Sequence, residues 1–186
     1  AMSKLWLEWV KNINSDIICL QEIKATPEQL DLKVVEDLGY RHYWFPAQKK
    51  GYSGVAIFSK NKPDHLEYGC GIRKYDDEGR IIRADFGDVS VMSVYFPSGT
   101  MGEIRQDFKF EFLDDFQKYI DTLKEKRSKL IICGDFNICH KPIDIHNFLT
   151  SHGYINPQVS PEIRRRAIRS LGYHNNWEAS KASAIT

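Results

Sequence analysis

A chain of 186 residues with 42% hydrophobic content can build one sizeable core and is too short for two comfortable domains. Its formal charge of +1 excludes a uniformly basic nucleic-acid binder, although a basic groove beside an acidic site is still compatible with it. No apolar run reaches membrane-spanning length and no signal peptide is visible; the cysteines (Cys19, Cys70, Cys133 and Cys139) lack C-x-x-C spacing, which argues against zinc and for a reducing, cytoplasmic compartment.

In chain order, Leu5, Trp6, Trp9 and Val10 recur at helical spacing and predict an amphipathic helix over 3–13. Asp16 to Leu20 is a short, mostly apolar run, expected as a buried strand that delivers Gln21, Glu22 and Lys24 to its end. Thr26 as N-cap, Pro27 at the first position and Gln29 in a capping box open a helix expected to run to Leu38 and stop at Gly39. Tyr40 to Phe45 is strand-like, Gly51-Tyr52-Ser53-Gly54 is a turn, and Val55 to Ser59 is a second apolar strand. Residues 66–73 and 80–87 read as strands around a turn at 76–79, and Val89 to Phe96 as a strand closed by Pro97-Ser98-Gly99.

The clearest helix is 104–126, where Phe108, Phe112, Phe116, Ile120 and Leu123 form one apolar stripe. Leu130 to Cys133 is a buried strand capped by Gly134-Asp135-Phe136-Asn137, and Cys19 and Cys133 read as small buried hydrophobes. Strands alternating with a few helices, several strands linked by turns, predict mixed sheets covered by helices, an α/β or α+β layered fold. Beyond residue 147 apolar periodicity fades, and Arg164, Arg165, Arg166 and Arg169 help give five Lys or Arg against two Glu. The expected organisation is one domain over 1–147 and an unmatched basic segment, 148–186, in the same domain or appended to it.

Two apolar strands end in acids, Glu22 and Asp135. Mg²⁺ is a hard cation that takes one or two carboxylates together with water and phosphate, so rigid strand-end carboxylates suit it. On an extended backbone Asp135 and Asn137 share a face and could orient one water. Each motif alone also fits an ordinary turn. Tyr95 could offer its hydroxyl to a phosphate oxygen, or be a core tyrosine. Gly51 and Tyr52 could meet a nucleic-acid backbone, or form a plain hairpin loop. Lys24, Lys49, Lys50 and Arg80 could pair with phosphates, or be solvated charges. His140 has a weaker claim to a role.

Ile18-Cys19-Leu20-Gln21-Glu22-Ile23-Lys24, Gly51-Tyr52-Ser53-Gly54-Val55-Ala56, Glu78-Gly79-Arg80-Ile81-Ile82-Arg83-Ala84, Tyr95-Phe96-Pro97 and Gly134-Asp135-Phe136-Asn137-Ile138 occur in this order. Together they resemble the exodeoxyribonuclease III and abasic-site endonuclease branch of the endonuclease/exonuclease/phosphatase superfamily, over about Ser3 to Asn147. The resemblance implies a four-layer, DNase I-like sandwich: two mixed β-sheets flanked by helices. It implies Mg²⁺, with Mn²⁺ as an alternative, on Glu22. It implies handling of the attacking water by Asp135 and Asn137, with Tyr95 near the scissile phosphate. Gly51, Tyr52, Arg80 and Lys24 would contact DNA.

The implied activity is cleavage 5′ to an abasic site and trimming of 3′ ends in base excision repair, in the cytoplasm at the nucleoid. The family's initial Asn-bearing strand and its closing Ser-Asp-His motif have no counterpart here, and no Asp follows Asp144. Two expectations follow: weaker cleavage than a full family member, and an unpaired sheet edge that self-association or a complementing fragment would cover. The alternative is a catalytically impaired chain that binds DNA without efficient cleavage. A phosphoinositide or sphingomyelin phosphodiesterase shares the implied fold, but the Gly-Tyr-Ser-Gly and Glu-Gly-Arg motifs argue against one.

Overall fold

A computed structural model describes residues 4–99 and 103–138. The elements are α1 (Lys4–Ile13), β1 (Ile17–Gln21), α2 (Lys33–Glu36), β2 (Arg41–Phe45), β3 (Val55–Ser59), β4 (His65–Tyr68), α3 (Arg73–Asp76), β5 (Ile81–Phe86), β6 (Val89–Tyr95), α4 (Glu103–Lys126) and β7 (Lys129–Asp135). They fall into two units: one of Ala1–Phe96 with Lys124–Phe136, the other of Pro97–Leu123 with Asn137–Thr186.

The first unit holds two sheets. One is antiparallel with order β1-β3-β2, so Cys19 faces Ile57 and Tyr43 faces Ile57 from the other side. The other has order β4-β5-β6-β7, with β7 parallel to β6 and Tyr95 in register with Asp135. A parallel pair needs a crossover, and the chain between β6 and β7 supplies one in α4.

Strand alternation sorts the core. Every residue of β3 is buried, because the strand is covered on both faces. Ala56 and Phe58 point outward to Val10 of α1 and Val35 of α2, with Trp6 against Phe58 at 6.1 Å, edge to face. Val55 and Ile57 point inward to Ile82 and Ala84 of β5 and Tyr95 of β6, which makes the core between the sheets. The predicted mixed α/β arrangement, two sheets flanked by helices, is the one observed.

Three local expectations differ. The single helix expected from Thr26 to Leu38 is two short pieces, a 3₁₀ turn at Pro27–Gln29 and α2. The capping signal is genuine, since the Thr26 N–H donates to Gln29 Oε1 at 2.9 Å. Leu30, however, is extended (φ −124°, ψ 146°), and the Asp31 carboxylate accepts the Lys33 N–H at 3.3 Å as helix resumes. A cap fixes where a helix starts and says nothing about how far it continues. Second, the strand expected over 66–73 ends at Tyr68, and residues 73–76 form the helical turn α3. Third, neither Cys19 nor Cys133 is fully buried, although Cys19 packs as a hydrophobe against the core between the sheets as expected.

In the second unit, the apolar stripe of α4 behaves as predicted at Phe112, Phe116, Ile120 and Leu123, which are buried; the rings of Phe112 and Phe116 stack at 5.7 Å. The segment 148–186 lies outside the described residues, as do His140 and Cys139.

Candidate functional site

β1 ends at Gln21, and the next residues leave extended geometry: Glu22 and Lys24 both take the left-handed backbone, at φ 53° and 49°. Non-glycine residues rarely adopt that region without a compensating constraint. Two backbone hydrogen bonds provide it here. The Ile23 N–H donates to the Gly54 carbonyl (3.2 Å) and the Lys24 N–H to the Ser53 carbonyl (2.9 Å). The Gly51–Gly54 loop thereby fastens the acid-bearing end of β1. Glycine is required at 54, because a methyl group there would stand 2.7 Å from Ile23 Cγ1, with the backbone at φ +89°.

The Glu22 carboxylate is half-exposed and accepts from Lys24 Nζ at 2.9 Å. Lys24 holds it below the ordinary carboxylate range, and a hydrogen bond from the Tyr95 hydroxyl adds to this. Tyr95 responds in the opposite sense. Burial, the Glu22 charge and its hydrogen bond, and the Asp135 charge push the phenol up to about 12, against the opposing pull of Arg80. At neutral pH the group is an ionised carboxylate beside a neutral hydroxyl donor. Asp135 closes β7 beside Tyr95, and its carbonyl accepts the Phe96 N–H at 2.9 Å.

Arg80 lies beneath this group and is 1% exposed. Its Nε donates to Glu78 Oε2 (2.6 Å), its Nη1 to the Tyr95 carbonyl (2.8 Å) and its Nη2 to the Tyr52 hydroxyl (3.3 Å). The guanidinium carbon also sits 5.1 Å from the centre of the Tyr95 ring. Read from sequence as a phosphate contact, Arg80 in this structure is an inner strut that ties the 51–54 loop to the end of β6. The Glu-Gly-Arg sequence makes this local: Gly79 at φ +59° brings the chain against the backbone of Phe45–Ala47, where a methyl would meet the Phe45 carbonyl at 2.4 Å.

Of the residues singled out from sequence, the first unit brings Glu22, Lys24, Tyr52, Arg80, Tyr95 and Asp135 into this connected set, with Gly51 exposed on the adjoining loop. Asn137 belongs to the second unit, where its carbonyl accepts from Lys109 Nζ at 2.6 Å. The extended backbone expected to align it with Asp135 ends at Asp135, because Asn137 is left-handed at φ 48°.

Sequence reasoning gave Glu78 no role, although its position two residues before Arg80 was the available signal. It also missed Ser93, whose hydroxyl donates to the Leu20 carbonyl (3.0 Å) and accepts from Gln21 Nε2 (2.8 Å), stitching β1 to β6. Among the described residues no three His, Cys, Asp or Glu side chains gather as a metal cluster. A divalent ion here would rest on Glu22, with water and substrate oxygen completing its shell.

The sequence pattern of the Endonuclease/Exonuclease/phosphatase family matches residues 2–182. The chain is 43% identical over 142 residues to the Exodeoxyribonuclease of Bacillus subtilis, covering 76% of this chain and 55% of that protein. It is 37% identical over 148 residues to the DNA repair nuclease APEX1 of Danio rerio, covering 78% and 47%. Among solved structures, an AP endonuclease from Archaeoglobus fulgidus matches with a TM-score of 0.73 at 27% identity, over 89% of this chain and 63% of that one. The 3′ phosphatase NExo from Neisseria, bound to a product DNA hairpin, matches at 0.65 and 25% identity, over 77% and 59%. The chain spans about half the length of the curated relatives it matches.

Proposed function

The chain belongs to the endonuclease/exonuclease/phosphatase family, and on that premise we propose that it hydrolyses DNA phosphodiesters, with abasic duplexes and 3′ ends as its substrates. One observation carries the reading: Tyr95 and Asp135 end two paired strands of one sheet in register, and the Ser93 hydroxyl ties the same end of β6 to Leu20 and Gln21, the end of β1 that delivers Glu22. The names of the relatives support the substrate class, since those of the Bacillus and Danio proteins specify DNA nucleases.

Glu22 would hold the divalent cation, Mg²⁺ or Mn²⁺, which supplies positive charge to the phosphate and the leaving oxygen. The chain's own groups carry the rest. Asp135, exposed at the end of β7, orients a water and accepts its proton as the oxygen attacks phosphorus. Tyr95 turns its hydroxyl from Glu22 to a phosphate oxygen and donates a hydrogen bond there. Lys24 leaves Glu22 and follows the DNA backbone, and Gly51 and Tyr52 meet the same backbone from the neighbouring loop.

Cleavage of an abasic duplex with Mg²⁺, and its loss with a chelator, tests this. Asp135→Asn and Glu22→Gln are each expected to slow cleavage by about 100-fold or more while leaving the fold intact. Metal-independent cleavage, or full rates in both variants, would overturn the proposal. The second reading is DNA binding without efficient cleavage. Retention of an abasic duplex on a gel with no product would select it.

A further inference from the structure

Cys19 and Cys133 are not used by the proposed chemistry, yet the fold brings them together. Cys19 is on β1 and Cys133 on β7, the two strands that also carry Glu22 and Asp135. Three contacts fix the alignment. Cys19 Sγ approaches the Met92 carbonyl on β6 at 4.0 Å. The next residue, Ser93, is in register with Cys133 on β7. The Ser93 hydroxyl reaches back to the Leu20 carbonyl on β1 at 3.0 Å. Residues 19–20 therefore lie over residues 92–93 and their partners 132–133, which places Cys19 across the sheets from Cys133.

We propose that Cys19 and Cys133 form a reactive dithiol that closes to an intramolecular disulfide on exchange with a small-molecule disulfide, cross-linking the two sheets beneath the acidic strand ends. The thiols differ in the way this exchange needs. The neighbouring Cys19 side chain lowers the Cys133 thiol to about 7, and Cys133 together with burial raises Cys19. Neither residue is fully buried, although Cys19 also packs against the core between the sheets.

The Cys133 thiolate attacks one sulfur of the small disulfide and expels the other half as a thiolate. Cys19 then gives up its proton and attacks the Cys133 sulfur, and the second half leaves as a thiolate. One disulfide is consumed, two thiols are released and one intramolecular bond is formed, so atoms and electrons balance. The bond would hold the sulfurs at about 2.05 Å, and it would set the spacing of β1 and β7 only a few residues from Glu22 and Asp135.

The test uses the whole chain, folded by circular dichroism, treated with glutathione disulfide at pH 7.5, alkylated, digested and analysed by mass spectrometry. A peptide joining Cys19 to Cys133, about 2 Da lighter than the sum of its reduced halves, is expected. Cys19→Ser should halt the reaction as a stable mixed disulfide on Cys133, and Cys133→Ser should leave Cys19 unmodified. Recovery of both cysteines alkylated, or their linkage instead to Cys70 or Cys139, would overturn the proposal. The readout needs no nuclease activity, so it stands or falls separately from the proposed function.

Discussion

Glu78 shows how a single side chain can govern a site it does not enter. Its carboxylate, 2.6 Å from Arg80, fixes a guanidinium whose remaining N–H groups hold the Tyr95 carbonyl and the Tyr52 hydroxyl. The Arg80 charge is enclosed, so the ion pair matters more than an exposed one would. Glu78→Gln keeps an acceptor but removes the charge. Cleavage of an abasic duplex is expected to fall about tenfold, with a smaller change in duplex affinity. Equal losses in rate and affinity, tracking a lower unfolding temperature, would mean that Glu78 matters only for stability. The same scale separates what could be read from Glu22 and Arg80. Glu22 was legible because an acid after an apolar strand is conspicuous. The burial of Arg80 was not, because exposure depends on what the rest of the chain lays over it.

Among the elements, β5 carries a second buried charge set. Arg83 Nε donates to Asp85 Oδ1 at 3.1 Å, the Ser90 hydroxyl donates to the same oxygen at 2.6 Å, and Arg127 lies 3.9 Å away. Burial works to raise Asp85, but the hydrogen bonds from Ser90 and Arg83 and the charges of Arg83 and Arg127 outweigh it and lower the carboxyl. A depressed folded-state value means that this stability is present above the unfolded carboxylate range near 4 and is lost as pH falls through the folded value. Asp85→Ala is expected to cost about 3 kcal/mol at pH 7, measured by urea unfolding, because it strands the buried Arg83. Glu67, 3.6 Å from Arg83, offers only partial compensation. The difference between variant and parent should shrink toward pH 3; a constant difference would show that packing, not charge, was lost. The broken helix at Thr26–Leu38 belongs to this scale too: capping residues were readable, but the extended Leu30 that interrupts it was not.

For the whole molecule, the formal charge of +1 limits how electrostatics can contribute to DNA binding. Lys24, Lys49 and Lys50 near the 51–54 loop offer a handful of phosphate partners instead of a broad basic surface. The logarithm of duplex affinity against the logarithm of salt concentration is therefore expected to fall with a slope of about −3. A slope near −8 would place the main contacts elsewhere, the basic segment 148–186 being the first candidate. β1 and β7 stand at sheet edges among the described residues, each paired on one side only.

The sequence by itself determined the alternation of strands and helices, the apolar strand from Val55 to Ser59, and the family through five ordered motifs. These are local or cumulative properties: periodicity, turn chemistry and spacing travel with the chain. Tertiary structure alone decided that the end of β1 before Glu22 is tied to β6 near Tyr95 and Asp135, that Arg80 faces inward, and that Cys19 lies across the sheets from Cys133. Each of these depends on register between strands far apart in sequence, and register is set by the packing of a whole sheet, not by the residues that end up in contact.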